Sequence, residues 1–264
     1  METAQGPSIQ RPPISAVIIS RNTARTIGSC LEALQQVADE IIVLDSFSDD
    51  GTVEICQRMG ARVVPQEWLG YGPTKNAGHA LARHDWILSL DADEVLSPEL
   101  IQTLRHWQPR PGEVYAFDRI TSFNGRWIRH CGWYPDWKVR LFNRCHVHWN
   151  DEPVHETLHI PPGFRTVRLK GKLFHHSFAS EEDFRLRLEK YARLGAKALY
   201  DKGRQPSKAL QALATTARFL RTFVWKAGFL DGRAGWTISI QTARMVWLRY
   251  ELLRQMWDRG GGHP

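Results

Sequence analysis

Apolar residues in the first hundred positions come in short runs separated by helically spaced sets. Ile14-Ser-Ala-Val-Ile-Ile19 is a compact, β-branched run that predicts a buried strand. Asn22 then stands in a helix-capping position, and Ile27, Leu31 and Leu34 recur at the spacing of one helical face. Ile41 to Leu44 predicts a second strand ending at Asp45, after which Asp50-Gly51-Thr52 turns the chain into a helix carrying Val53, Ile55 and Met59. Arg62 to Val64 makes a third short strand. Trp68 to Pro73 reads as a loop interrupted by Gly and Pro, Thr74 to Arg83 as a helix, and Trp86 to Leu90 as a fourth strand running into Asp91-Ala92-Asp93-Glu94. Ser97-Pro98-Glu99 supplies the cap, first-turn Pro and dipole-facing acid of another helix start.

Strands alternating with helices predict an α/β fold, a Rossmann-like, mostly parallel sheet with helices on both faces. Such sheets bind ligands beyond the carboxyl ends of their strands. Two of those ends carry aspartates here, Asp45 and the pair Asp91 and Asp93. From Val114 to Phe178 the pattern shifts to short β-like runs, Val114 to Phe117, Val139 to Phe142 and Val167 to Leu173, broken by aromatic-rich loops. Ser180 caps a following helix, with Asp183 three residues on and Phe184, Leu188 and Tyr191 expected on one face. Gly203 to Pro206 reads as a boundary before a C-terminal helical extension, two basic and aromatic stretches that flank Gly228 to Gly235. The expected organisation is a flexible start at 1–13, an α/β domain at 14–200 with halves at 14–110 and 111–200, and a basic amphipathic extension at 201–264.

Composition narrows the class. With 42% hydrophobic and 24% charged residues among 264, the chain sits near globular averages, which excludes wholesale disorder, a collagen-like repeat or a disulfide miniprotein. No stretch reaches the roughly 18 uninterrupted apolar residues of a membrane span. The first thirteen residues lack a signal-peptide core, so a cytoplasmic protein is expected. Cys30, Cys56, Cys131 and Cys145 form no CxxC pair, and reduced thiols are expected.

Charge adds a second expectation. The net +7 is a C-terminal property: from Lys202 to Arg259 eleven Lys and Arg face three acids, a local +8 that leaves residues 1–201 near −1. Basic side chains there interleave with Phe219, Phe223, Trp225, Phe229, Trp236, Trp247 and Trp257, the composition of an interfacial helix. This predicts peripheral association with the anionic inner face of the cytoplasmic membrane, against the alternatives of packing onto the α/β domain or a dimer contact.

Asp91-Ala-Asp93 at the tip of an apolar strand is the sharpest chemical signal. Two carboxylates one residue apart can hold a hard divalent cation that bridges diphosphate oxygens, although an isolated acidic pair also serves as a cap or solvated turn. Its context is decisive. Ser15-Ala-Val-Ile-Ile-Ser-Arg-Asn22, Val43-Leu-Asp-Ser-Phe-Ser-Asp-Asp-Gly-Thr52, and Lys75-Asn76 upstream of Trp86-Ile-Leu-Ser-Leu-Asp-Ala-Asp-Glu94 together resemble the family 2 glycosyltransferases of the GT-A fold, in order and spacing. Tyr134-Pro-Asp-Trp-Lys-Val-Arg-Leu-Phe142, Pro153-Val-His-Glu156, Leu173-Phe-His-His-Ser-Phe178 and Gly228-Phe-Leu-Asp-Gly232 extend the resemblance to a non-processive bacterial subgroup that includes lipopolysaccharide-core β-1,4-glucosyltransferases.

The resemblance implies that 14–110 is a nucleotide-binding half and 111–200 an acceptor-side half. Asp45 matches the aspartate at the nucleotide base, Lys75 a basic residue near it, Asp91 the carboxylate near the ribose, and Asp93 a metal ligand. The family's histidine over metal and diphosphate falls at His175, with His176 the alternative; neighbours on a strand face opposite ways, so one of the two is expected to serve. Mn²⁺ or Mg²⁺ suits a carboxylate with one imidazole. Glu156 stands where this subgroup has its general base, with Asp151 and Glu152 as competing carboxylates in the same loop. Trp133, Trp137 and Arg140 are expected on the acceptor side.

The implied reaction is metal-dependent, inverting, non-processive transfer of a hexose, with glucose expected, from a UDP-sugar to a lipopolysaccharide inner-core or other glycolipid acceptor. A sugar-nucleotide nucleotidyltransferase would share the sheet but requires a glycine-rich loop after the first strand, where this chain has Ser20-Arg-Asn-Thr-Ala-Arg25. A non-enzymatic basic membrane-surface or nucleic-acid-binding protein would leave the aspartates unused, and no nucleic-acid partner is expected. Gln241-Thr-Ala-Arg244 is followed by Met245 rather than the Trp of processive relatives, and Cys145-His146-Val-His148 lacks a second pair at zinc-ligand spacing.

Overall fold

The computed structural model of the chain describes residues 11–150 and 157–259. Its first elements alternate as the pattern predicts: β1 (Ile14–Ser20), α1 (Ile27–Leu34), β2 (Glu40–Asp45), α2 (Thr52–Arg58), β3 (Arg62–Pro65), α3 (Tyr71–Ala80), β4 (Trp86–Asp91), β5 (Glu94–Leu96) and α4 (Pro98–Arg105). There follow β6 (Glu113–Phe123), β7 (Arg126–Trp127), β8 (Asp136–Asn143), β9 (His148–Trp149), β10 (Leu158–His159) and β11 (Arg165–Phe178). The chain ends in α5 (Glu181–Asp201), α6 (Lys208–Leu220), a π-turn at Arg221–Trp225, a 3-10 turn at Gly228–Asp231, and α7 (Gly232–Arg259).

The large sheet runs in the order β3-β2-β1-β4-β8-β6-β11-β5, with β7 on β6. Strands β3, β2, β1 and β4 are parallel, and the pairs β4 with β8, β6 with β8 and β5 with β11 are antiparallel. β1 is buried along its whole length, as a central parallel strand covered on both faces must be. Its residues alternate between two cores. Ile14, Ala16 and Ile18 pack with Leu31 of α1 and Leu104 of α4, while Val17 and Ile19 pack with Leu44, Ile87 and Phe142, with Ala77 of α3 against them.

Two local expectations are corrected. Asn22 is not a helix cap: it leaves β1 at φ 54, and its side-chain Oδ1 accepts from Asp49 N at 3.0 Å, tying the β2–α2 loop to the end of β1. α3 begins at Tyr71 rather than Thr74, because Pro73 in a first turn leaves no needed donor unmade. The caps at Ser97 and Ser180 form as expected, accepting from Leu100 N and Asp183 N.

The chain divides into two compact units. One comprises the chain through Arg119 together with Asp136–His175; the other comprises Ile120–Pro135 and His176 onward. In the second unit α5 packs on α7 through Phe184, Leu188, Ala192 and Ala196, a four-residue ladder that leaves Tyr191 exposed, contrary to the face expected for it. Gln211 joins α6 to α7, its amide donating to Trp247 O at 3.0 Å and its oxygen accepting from Arg254 Nη2 at 2.9 Å. No helix among the described residues is long and apolar enough to cross a membrane. All four cysteines are free.

The amino ends of the parallel strands are stapled by Glu40. Its Oε2 accepts from Ser15 Oγ of β1 at 2.7 Å and from Arg83 N, just before β4, at 2.8 Å. Burial opposes the charge, but the Arg83 N–H and Ser15 hydroxyl outweigh it and hold the carboxyl below its ordinary 4.5. A carboxyl depressed in the folded state contributes stability that is present above its unfolded value and lost as pH falls through the folded one. Wild type should therefore lose stability more steeply below about pH 4.5 than Glu40→Gln, measured by urea unfolding across the acid range. Parallel acid limbs for the two proteins would contradict the staple.

Candidate active site

The parallel register aligns the aspartate-bearing strand ends. Ser20 of β1 pairs with Asp45 of β2, and Ile19 pairs with Asp91 of β4, so both carboxylates flank the carboxyl end of β1. Beyond Asp91 the chain turns tightly through Ala92 and Asp93 into β5. Glu94 closes that turn: its side chain is wholly buried, and Oε2 accepts from Asp91 N at 3.1 Å.

A buried carboxylate needs a counter-charge, and two arginines supply it. Arg140 of β8 donates through Nη2 to Glu94 Oε1 at 2.6 Å and to Asp91 Oδ2 at 2.7 Å. Arg119 of β6 donates to Glu94 Oε1 at 3.1 Å and pairs with Asp136 at 2.6 Å. The other Asp91 oxygen meets Lys75 Nζ at 3.0 Å, and that ammonium lies over the Trp149 ring, 4.5 Å from its centroid. Burial pushes the Asp91 carboxyl up, but Arg140 first and Lys75 next outweigh it and hold the group far below the usual carboxylate range. Burial likewise works against the charge on Arg140, and Asp91 and Glu94 more than restore it.

α3 places Lys75 by close approach to β9. A Cβ on Gly72 would lie 2.1 Å from Asn150 O, so only glycine admits this contact. Asn76 then clamps Trp149 in both directions, donating to its carbonyl at 2.8 Å and accepting from its N–H at 2.9 Å. His79, one turn on, is pushed down to about 3 by burial and by the charges of Lys75 and Arg144, and stays neutral.

β11 pairs with β5 so that His175 lies opposite Glu94. His175 Nε2 stands 3.3 Å from Asp93 Oδ2, whereas His176 belongs to the second unit and meets the Trp127 ring there, 5.2 Å between centroids. The Asp93 carboxyl is raised by burial and lowered more strongly by the His175 hydrogen bond and charge, for a net depression. Asp93 and His175 present one oxygen and one nitrogen donor at the turn, while both Asp91 oxygens are held by cations. Among the described residues no group of three His, Cys, Asp or Glu is gathered as a metal cage. One carboxylate with one imidazole is a donor set that would suit Mn²⁺ or Mg²⁺.

At the β2 end, Asp45 accepts from Ser48 N at 2.8 Å and from Ser48 Oγ at 2.5 Å, and Ser48 Oγ accepts from Asn22 N at 2.8 Å. Between Asp45 and Ser48, Phe47 is held at φ 57 and is 66% exposed, an unusual backbone state for a bulky residue. Glu156 lies outside the described residues, as do Asp151 and Glu152. The chain on either side of that segment is tied: Asn150 N donates to Thr157 O and Thr157 N to Asn150 Oδ1, each at 2.9 Å, and Trp149 pairs with Leu158.

The other expected residues divide. Arg140, expected on the acceptor side, is the buried counter-ion of Asp91 and Glu94. Trp137 lies under the Arg168 guanidinium at 4.7 Å in the first unit, and Trp133 packs among Phe123, Phe178 and Phe184 in the second. Glu94 and Asn76 stand in the sequence motifs without a role attached to them, and Arg119 stands in none. Glu94 was visible as the last acid of the strand-tip run, while the partners of Arg119 are 17 and 25 positions away, with no local signal.

The glycosyl transferase family 2 model matches residues 15–169, which span every strand of this site up to β11. The chain belongs to that family and is a glycosyltransferase. It is similar to an uncharacterized glycosyltransferase of Rickettsia bellii, 30% identical over 92% of this chain and 86% of that one. It is also similar to the lipopolysaccharide core biosynthesis glycosyltransferase LpsC of Rhizobium meliloti, 26% identical over 92% and 95%. Among solved structures, glucosyl-3-phosphoglycerate synthase of Mycobacterium tuberculosis with Mn²⁺ and UDP is 26% identical over 42% of this chain and 44% of that one, with a TM-score of 0.34.

Removing one member of a buried ion network leaves the others uncompensated, at about 3–5 kcal/mol. Arg140→Met should lower unfolding stability by about that amount, whereas Asp93→Asn, at the turn's partly exposed apex, should change it by less than about 1 kcal/mol. Urea unfolding of both variants checks this; an Arg140→Met protein as stable as wild type would contradict the clamp.

Proposed function

We propose that the protein transfers a hexose, glucose by expectation, from a UDP-sugar to a lipopolysaccharide inner-core or other glycolipid acceptor, with inversion and one residue at a time. The observation that carries the reading is the Asp93–His175 pair beside an Asp91 whose oxygens are already held by Lys75 and Arg140. The likeness to LpsC over nearly its whole length supports the acceptor class.

Asp45 and Asp91, at the ends of β2 and β4, bind the nucleoside together with Lys75 of α3. Asp45 retains acceptor capacity beyond its Ser48 bonds, and an imide N–H of uracil suits it. Phe47 offers an exposed aromatic face beside it. Asp93 and His175 hold the divalent cation, which when bound offsets the charge of the departing diphosphate. Glu156 takes the proton of the acceptor hydroxyl as its oxygen bonds to the anomeric carbon, and the bond from that carbon to the diphosphate oxygen breaks on the opposite face. The tied ends of the β9–β10 connection, next to the Trp149 ring under Lys75, support that role. The basic, aromatic C-terminal region seats the enzyme peripherally on the cytoplasmic face of the membrane that carries such acceptors.

Glu156→Gln should keep UDP affinity and lose about 10²- to 10⁴-fold in turnover. Transfer should also cease in chelator and return on adding Mn²⁺ or Mg²⁺. Glu156→Gln turnover near wild type, with Asp151→Asn or Glu152→Gln inactive, would move the base to the other carboxylate; full activity in chelator would remove the metal.

A further inference from the structure

Gly228-Phe-Leu-Asp-Gly232 takes no part in the strand-end chemistry, yet it builds one of the most tightly fixed corners of the second unit. A Cβ on Gly235 would fall 1.8 Å from Gly228 O, and one on Gly228 would fall 2.7 Å from Thr222 O and 2.9 Å from Cys131 Sγ. Only glycines allow the start of α7 to lie this close to the turn before it. The corner is fastened from the side as well, Cys131 N donating to Lys226 O at 3.0 Å. Asp231 faces inward, accepting from Arg129 N at 3.2 Å, His130 N at 2.8 Å and His130 Nδ1 at 3.1 Å.

Between these anchors the apolar side chains face water. Trp225 is 86% exposed, and Leu220, Val224, Phe229, Leu230 and Trp236 are all about half exposed or more. Phe229 and Trp236 belong to one aromatic cluster, in which the Phe223 ring meets Phe219, Phe229 and Trp236 with centroids 5.4, 6.2 and 5.3 Å apart, and the other exposed groups neighbour it along the chain between Leu220 and Leu230. A rigid turn that holds its one acid inward and its large apolar groups outward does not bury them for stability, and patches of this kind mark an interaction site. Arg221, Lys226 and Arg233 are exposed around it. Asp231 is the sole acid from Lys202 to Tyr250, so no carboxylate of that stretch stands outward against an anionic partner.

We propose that the corner from Leu220 to Trp236 is a membrane wedge: Val224, Trp225, Phe229 and Leu230 enter the headgroup–acyl boundary of an anionic bilayer while Arg221, Lys226 and Arg233 engage lipid phosphates. The inference rests on the peripheral-membrane part of the function proposed above and adds the inserting residues. Tryptophan is the side chain most at home at that boundary, and basic groups near an anionic surface add attraction that salt screens. The glycines keep the wedge stiff, so that inserting it requires little further ordering of the chain.

The test is sedimentation of the full chain with vesicles of phosphatidylglycerol and phosphatidylcholine, and with phosphatidylcholine alone, at about 0.05 M and about 0.5 M salt. Wild type should bind the anionic vesicles and lose much of that binding in high salt. Trp225→Ser with Phe229→Ser and Leu230→Ser should weaken binding by about tenfold or more, since each removes apolar area from the lipid. Arg221→Gln with Lys226→Gln and Arg233→Gln should remove the salt dependence. Thermal unfolding is expected to match wild type in both, because the side chains are exposed, and Trp225→Phe should retain most binding as a conservative control. Anionic-vesicle binding unchanged by the serine variant overturns the wedge and leaves the membrane reading standing. No binding by wild type at low salt overturns both. A stable dimer in solution that the serine variant dissociates assigns the patch to a second copy of the chain and overturns the wedge.

Discussion

Arg140 is the constraint on which the site depends. Its guanidinium joins the last residue of β4 to the first residue of β5, and the Asp91 N–H closes the same turn on the Glu94 carboxylate. Two acids three residues apart, one of them wholly buried, would repel each other and favour solvent without that cation. With it in place, Glu94 is held wholly buried and Asp91 is paired at the end of β4, and Asp93 stands in the turn between them. The antiparallel pairing of β5 with β11 then delivers His175 to the same spot. Lys75, from α3, completes the neutralisation from the other side of Asp91.

Much of the fold was legible because it rests on local pattern. The β-branched run at Ile14 to Ile19 could only be a buried strand, and Ser97-Pro98 and Ser180 announced helix starts that formed where expected. What local pattern missed is set by partners distant in sequence. Nothing near Asn22 says that its oxygen will hold Asp49 rather than start a helix, and nothing near Thr74 says that α3 will begin at Tyr71, against the chain at Asn150. The residues of the site divide the same way. Asp45, Asp91 and Asp93 stand at strand ends that hydrophobic runs predict. Arg140 reads as a basic residue within the β-like run Val139 to Phe142, expected on the acceptor side, until its partners, 49 and 46 positions earlier, are brought beside it.

Histidine shows what strand geometry adds to alignment. His175 and His176 are equivalent as letters, and alternation along a strand says only that they face opposite ways. The register of β11 against β5 gives the Asp93 neighbour to His175, while His176 turns to Trp127. Tryptophan shows the opposite limit, since one residue type serves as a cation platform at Trp149 and as a solvent-facing group at Trp225. Composition alone cannot separate those uses; exposure and ring contacts do.

In the function proposed above, Asp93 of the Arg140-clamped turn and His175 of β11 would form one divalent-metal site for a nucleoside diphosphate. Electron spin-echo spectroscopy of Mn²⁺ bound with UDP to the full chain tests it most directly, because a coordinated imidazole nitrogen modulates the echo. The account predicts that modulation in wild type, its loss in His175→Gln and its persistence in His176→Gln. Modulation that survives His175→Gln, or is absent from wild type with Mn²⁺ bound, would contradict it.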